Sequence, residues 1–229
     1  MGSNIKIEIE KYLENYPPAL ELFKMLLKTG EVYAVGGMLR EFKDNGKIID
    51  LRDADFSVYI KNREMWNELL EKIPYTRNNF GGYKFLCSGF IIDVWNVKET
   101  WAFRENIIEV EEEKYFEKLA QSVFLNLDAI VYDFINDRWN DMIYQQAMEK
   151  RELGVVLKSN PFVELNILRA MVLRKRYDMF YSNELKDLIA TYSVKNNFCN
   201  ILMEMQKRRY KKYVLPEEDI LHEIELCKD

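Results

Sequence analysis

The chain has 229 residues, 48% of them hydrophobic and 31% charged, with a net charge of −5. That length is enough for one large domain, or for a head plus a smaller helical part. The acidic balance argues against the broadly basic surface with which a protein grips a long nucleic acid, and leaves room for a local basic patch.

The start, Met1-Gly2-Ser3-Asn4, runs into charged helix-forming residues rather than a signal-peptide core. Residues 5 to 28 carry apolar positions at helical spacing broken by Pro17-Pro18, which predicts two short helices. The second covers Ala19 to Leu27, with Gly30 as its C-terminal cap. Val32 to Val35 is a short buried strand stopped by Gly36-Gly37. Met38 to Lys43 then opens a helix that Asp44-Asn45-Gly46 closes. Asp55 to Ile60 alternates and is β-branched, so it is a second strand, and Arg63 to Ile73 is an amphipathic helix. Tyr83 to Cys87 and Phe90 to Trp95 flank Ser88-Gly89, a two-residue hairpin turn. From Glu111 onward the pattern is mainly helical, punctuated by Pro161 and Pro216. Trp95, Trp101 and Trp139 are expected in the core. Strands followed by helices predict an α+β fold with a mixed or antiparallel sheet, a head over residues 1–150 and a helical part over 151–229.

Cys87, Cys199 and Cys227 are widely spaced and form no metal-ligand pattern, so they read as free thiols in a reducing compartment. No apolar run approaches the roughly 20 residues that span a bilayer. The expected location is cytoplasmic, with no membrane partner. A lone histidine, His222, near the end of a helical stretch gives no support to Ser-His or Cys-His chemistry.

The informative segment is Val35-Gly36-Gly37-Met38-Leu39-Arg40-Glu41 followed by Arg52-Asp53-Ala54-Asp55. Side chains alternate across a strand, so Asp53 and Asp55 point the same way. Two carboxylates that close repel unless a cation sits between them. A hard ion such as Mg²⁺ takes a few carboxylate oxygens together with substrate phosphates. Glycines ahead of a helix let backbone approach a triphosphate, and the helix N-terminus adds NH donors and a positive dipole end. Either feature alone is a common turn; their order between two strands is more specific. The run Lys207-Arg208-Arg209-Tyr210-Lys211-Lys212 is either a solvated helix face or a phosphate patch, and its five cations are the RNA-contact candidates.

These segments resemble the head domain of the tRNA CCA-adding enzyme and bacterial poly(A) polymerase family, within the polymerase-beta-like nucleotidyltransferases. Gly36 to Glu41 matches the family's GG-x-x-R-[DE] turn, and Arg52 to Asp55 its [KR]-D-x-D metal motif. Phe90 to Val94 resembles the strand that follows. Phe124 to Asp133 resembles F-T-x-N-A-x-x-Y-D with Asp128 as an extra residue, and Ile167 to Ala170 resembles the I-L-R-A helix of the neck. The resemblance implies transfer of an NMP from an NTP to a hydroxyl, an RNA 3′ end foremost and a protein or small molecule otherwise. It implies Mg²⁺ or Mn²⁺ on Asp53, Asp55 and Asp93, although Asp93 has the alternative of a strand-end aspartate without a ligand. Gly36 and Gly37 would cradle the triphosphate, with Asn126 and Arg169 as further nucleotide contacts. Arg40 would support that loop or touch phosphate, or else form a structural salt bridge. Where the family carries R-R-D, this chain has Gln121-Ser122-Val123. Where it carries the base-reading E-D-x-x-R, the positions are Phe162, Val163 and Asn166. The catalytic half is thus kept without the selecting half, which leaves a catalytically silent nucleotide- or RNA-binding relative as the alternative.

Overall fold

The computed structural model describes residues 4–78 and 81–228. By contacts the chain divides into two compact units: Met1–Ser122 with Asp128–Met142, and Val123–Leu127 with Ile143–Asp229.

The first unit opens with helix α1 (Ile5–Leu13), whose first turn is capped by the Asn4 side chain accepting from Lys6 N at 2.9 Å. Ile5, Ile9 and Leu13 recur every four residues and are buried. Helix α2 (Pro17–Thr29) starts two residues before the expected Ala19, because proline's fixed φ suits a first helical turn. Gly30 is not a left-handed cap. It is extended, at φ 162°, and begins strand β1 (Gly30–Val35). Its glycine identity has a steric cause, since a Cβ there would lie 2.0 Å from the Tyr59 carbonyl oxygen on the neighbouring strand.

Helix α3 (Gly37–Asn45) ends on a left-handed Gly46 whose NH donates to Phe42 O at 2.7 Å. Strand β2 (Asp53–Ile60) is followed by α4 (Arg63–Lys72), capped by the Asn62 side chain. Then come β3 (Tyr75–Arg77), β4 (Tyr83–Cys87) and β5 (Phe90–Asn96). Ser88 and Gly89 both have positive φ, 52° and 89°, as a primed two-residue hairpin turn requires. Short helices α5 (Trp101–Arg104) and α6 (Tyr115–Leu119) precede β6 (Val131–Asp133) and β7 (Arg138–Asn140). The chain after Glu111 is mainly helical as expected, and these two short strands are an addition to that expectation. They form because buried Asp133 accepts from Ile135 N, Asn136 N, Asn136 Nδ2 and Arg138 Nε, which closes the hairpin between them.

The sheet order is β3-β4-β5-β2-β1-β6-β7, with β2 and β5 parallel and its other pairings antiparallel. The expected α+β class with a mixed sheet is what the protein has. One face of β2, Ala54, Phe56 and Val58, is fully buried, with Phe23 of α2 5.3 Å from the Phe56 ring. The opposite face carries Asp53, Asp55, Ser57 and Tyr59. Its far end is covered, since Tyr59 meets Tyr115 and Tyr33 of β1 meets Phe116. The aspartate end has no such aromatic contact among the described residues. The three tryptophans expected in the core are all half-buried, and Trp66 of α4 is the one inside.

The second unit contains α7 (Met142–Lys150), β8 (Glu152–Leu153), α8 (Val163–Tyr177), β9 (Phe180–Tyr181), α9 (Asn183–Ser193), α10 (Phe198–Tyr210) and α11 (Glu217–Glu225). Ile167, Leu168, Ala170 and Met171 of α8 are its buried stripe. Arg174 grips the buried Glu223 with two bonds of 2.5 Å, and Tyr181 donates to the same carboxylate at 2.6 Å. That cluster ties α8, β9 and α11 together. Among the described residues no helix is long and apolar enough to cross a membrane.

Candidate nucleotide and metal site

Antiparallel pairing of β1 with β2, Ala34 opposite Phe56, sets the C-terminal end of β1 beside the N-terminal end of β2. The glycine turn that leaves β1 and the aspartates that open β2 are therefore neighbours. Gly36 has φ 68° and ψ −124°, a conformation that side chains rarely adopt, and a Cβ on it would meet nothing within 4 Å. The space above the turn is open. α3 begins there with no side-chain cap and no acidic residue in its first turn, so its NH groups and dipole face that space uncompensated. Gly36's own NH is already used, donating to Ile130 O at 3.2 Å. An anion at this turn would accordingly be met by the donors of α3's first turn.

Arg40 sits beneath the turn. Its Nη2 lies 3.7 Å from where a Gly37 Cβ would be, and its Nη1 donates to Asp128 Oδ1 at 2.5 Å. Both residues are buried, Arg40 to 9% exposure and Asp128 to 6%. Asp128, the residue extra to the family pattern, is thus the counter-ion of the glycine-turn arginine.

Asp53 and Asp55 are half-buried on the same face of β2. Arg52 donates to Asp53 Oδ2 from Nε at 3.0 Å. Ser57 continues the face, and its buried Oγ has no hydrogen-bond partner among the described residues. Parallel register places Asp93 of β5 directly beside Asp55. The Asp93 carboxylate is engaged, however: Lys84 Nζ donates to Oδ2 at 2.6 Å and Asn78 Nδ2 to Oδ1 at 3.4 Å. Among the described residues no three His, Cys, Asp or Glu side chains form a group able to hold a metal. Asp93 is thus paired with Lys84 and stands in register beside Asp55, on the strand next to the two carboxylates of β2. A pair of carboxylates such as Asp53 and Asp55 suits Mg²⁺, which keeps most of its coordination for water and phosphate oxygens.

Asn126 and Arg169 belong to the second unit. Asn126 Nδ2 donates to Glu152 O at 2.8 Å and its NH to Gly154 O at 3.0 Å, so it pins its segment beside β8. Arg169 is half-buried on α8. Near the start of that helix, buried Asn166 spends its amide on Pro161 O at 3.1 Å, and Phe162 is left-handed at φ 59°. Lys207, Arg208 and Arg209 close α10, and Lys211 and Lys212 follow in a loop; all five are exposed. Buried Gln206 fixes that loop by accepting from Val214 N and Leu215 N at 2.9 and 2.8 Å. Cationic side chains at a helix C-terminus also match its negative dipole end.

Lys84, which was not among the expected site residues, is placed beside Asp93 by the structure. The signal was present, since a two-residue turn at Ser88-Gly89 pairs Cys87 with Phe90 and hence Lys84 with Asp93.

No family model matches the chain, and no curated protein matches it. Among solved structures it is similar to a CCA-adding enzyme in complex with ATP, at 19% identity and TM-score 0.62, over 96% of this chain and 53% of that one. It is similar to the Thermotoga maritima CCA-adding enzyme complexed with tRNA-CCA, at 18% identity and TM-score 0.62, over 96% and 54%. A CCA-adding enzyme complexed with CTP aligns at 20% identity and TM-score 0.59, over 96% and 53%. At this identity the likeness is one of fold. The chain spans about half the length of the structures it matches. The sequence resemblance is thus borne out as a shared fold.

Proposed function

We propose that the first unit is a Mg²⁺-dependent nucleotidyltransferase site that moves an NMP from an NTP to a hydroxyl, an RNA 3′ end foremost, with release of pyrophosphate. The observation that carries the reading is one juxtaposition. An open glycine turn at the head of α3 lies at the same end of the sheet as two carboxylates that share a face of β2. The solved CCA-adding enzymes with ATP, CTP and tRNA support the choice of ligands.

Asp53 and Asp55 would hold the ion, Mg²⁺ or Mn²⁺. When bound, it neutralises triphosphate charge and lowers the pKa of the acceptor hydroxyl. The chain's own residues supply the rest. Gly36, lacking a Cβ, leaves room for phosphate oxygens against the backbone. The first-turn NH groups of α3 orient those oxygens without reorganising. Arg40 and Asp128 hold α3 in place, so the turn keeps its geometry through the reaction. The covered end of the sheet, where Tyr59 meets Tyr115 and Tyr33 meets Phe116, fixes β2 beneath the two aspartates.

The test is incubation of the protein with each α-labelled NTP, Mg²⁺ and short RNA, followed by analysis of what carries label. Label at RNA 3′ ends is expected, with weak discrimination among the four nucleotides, because Val163 and buried Asn166 stand where the family reads base edges. A strict CTP-then-ATP order would contradict the alignment of α8. Nucleotide binding without any labelled product would favour the silent relative, the reading to which the missing base-reading pair gives weight.

A further inference from the structure

Three neighbouring strands carry one row of side chains on the aspartate face. Register pairs Asp55 of β2 with Asp93 of β5, and Asp93 with Lys84 of β4. On the far side of Asp55 from β5 lies the end of β1 with its glycine turn. The order across the sheet is therefore glycine turn, Asp55, Asp93, Lys84. Strands spaced by about 4.8 Å put the backbones of Asp55 and Lys84 about 10 Å apart. Lys84 leans inward across that gap, with Nζ 2.6 Å from Asp93 Oδ2. The carboxylate is nearly buried, 8% exposed, while the lysine side chain is 38% exposed. Each oxygen of the buried carboxylate already accepts a bond, Oδ2 from Lys84 and Oδ1 from Asn78, while an ammonium with three donors keeps two for another acceptor.

We propose that Asp93 is a positioning residue that holds Lys84, and that Lys84 is an anion contact on the acceptor side of the site. The inference rests on the transferase reading above. If the triphosphate lies at the glycine turn, the attacking hydroxyl comes from the opposite side of Asp55, where β5 and β4 lie. Lys84 is the side chain in that row with a positive charge. The anion it meets is the phosphate beside the reactive hydroxyl. That feature separates an oligonucleotide 3′ end from an uncharged alcohol.

Two measurements on the full chain separate this inference from the reading beneath it. One is Mg²⁺-dependent binding of ATP. The other is binding of a short oligoribonucleotide without nucleotide, followed by the acceptor KM and kcat of transfer. Lys84→Met should weaken oligonucleotide binding and raise acceptor KM about tenfold, as loss of one charge-assisted contact does. It should leave ATP binding within about twofold and change kcat little, and Lys84→Arg should recover most of the loss. Asp93→Asn should give the same KM effect, and the double variant should be no worse than either single one, because the two residues act as a unit. Oligonucleotide binding and acceptor KM unchanged in Lys84→Met would overturn the inference, whether or not Asp93→Asn folds. Loss of Mg²⁺-dependent ATP binding in Asp93→Asn but not in Lys84→Met would make Asp93 a metal ligand and overturn it too. Absence of Mg²⁺-dependent ATP binding in the wild type would instead remove the transferase reading itself.

Discussion

Arg40 and Asp128 are a buried pair whose partners lie 88 residues apart in sequence. A buried ion pair contributes little net stability against a well-packed apolar pair, but removing one partner strands a charge. Arg40→Met is therefore expected to destabilise the protein by about 3–5 kcal/mol, and Asp128→Leu by a similar amount. The combined Arg40→Met/Asp128→Leu protein should recover a large part of the loss, since neither charge is then left alone. Urea unfolding of the four proteins checks this. Additive losses in the double variant would mean that the pair is not what holds the turn. The residue identities were legible in the sequence, where Asp128 stood out as an insertion, but the contact was not. No local spacing rule connects a helix residue to a loop 88 positions later.

At the level of elements, two glycines flanking β1 do different work. Gly30 has an ordinary extended backbone, and it is the Tyr59 carbonyl 2.0 Å from a would-be Cβ that forbids a side chain. Gly36 has open space but a φ of 68°. Gly30→Ala should consequently split β1 from β2 and cost most of the folding stability. Gly36→Ala should cost about 1–2 kcal/mol of backbone strain, leave the fold intact and weaken nucleotide binding. Thermal melts with and without ATP and Mg²⁺ distinguish the two. A Gly36→Ala protein with undiminished stabilisation by nucleotide would remove the turn from the site. The same region shows how far sequence reading reached. The helix after Gly36-Gly37, the strand expected from Asp55 (it starts at Asp53) and the Ser88-Gly89 hairpin follow from local turn chemistry and alternation, and they were legible. β6 and β7 were not, because three-residue strands carry too little alternation to stand out, even though Asp133 closes their hairpin through local hydrogen bonds two to five residues along the chain. Asp93 was legible as a neighbouring carboxylate. Its neutralisation by Lys84 follows only once strand register is applied to the hairpin.

For the whole molecule, charge is the governing quantity. With 33 basic and 38 acidic residues, the chain has no overall positive charge with which to hold a long RNA, so RNA contacts are expected to be local. Its dense basic run, Lys207 to Lys212, is exposed and held on a loop fixed by Gln206. If all five cations of that run meet single-stranded phosphates, the log–log salt slope of RNA affinity is at most about −3.5. Replacing Lys207, Arg208, Arg209, Lys211 and Lys212 by alanine should flatten that slope and remove most RNA affinity, while Mg²⁺-dependent ATP binding persists. Filter binding at two salt concentrations reads both quantities. Tight binding that survives the five replacements would place the RNA surface elsewhere.

The central claim is that Asp53 and Asp55 hold the ion for nucleotidyl transfer, and single-turnover transfer from α-labelled ATP to a short RNA tests it most directly. Each amide keeps the carboxylate's shape but loses its charge, so Asp53→Asn/Asp55→Asn should fold as the wild type does by circular dichroism. The double variant should lose transfer by at least about a thousandfold, as expected when charge stabilisation at the reacting phosphate is removed. Transfer at the wild-type rate by the folded double variant would contradict the account.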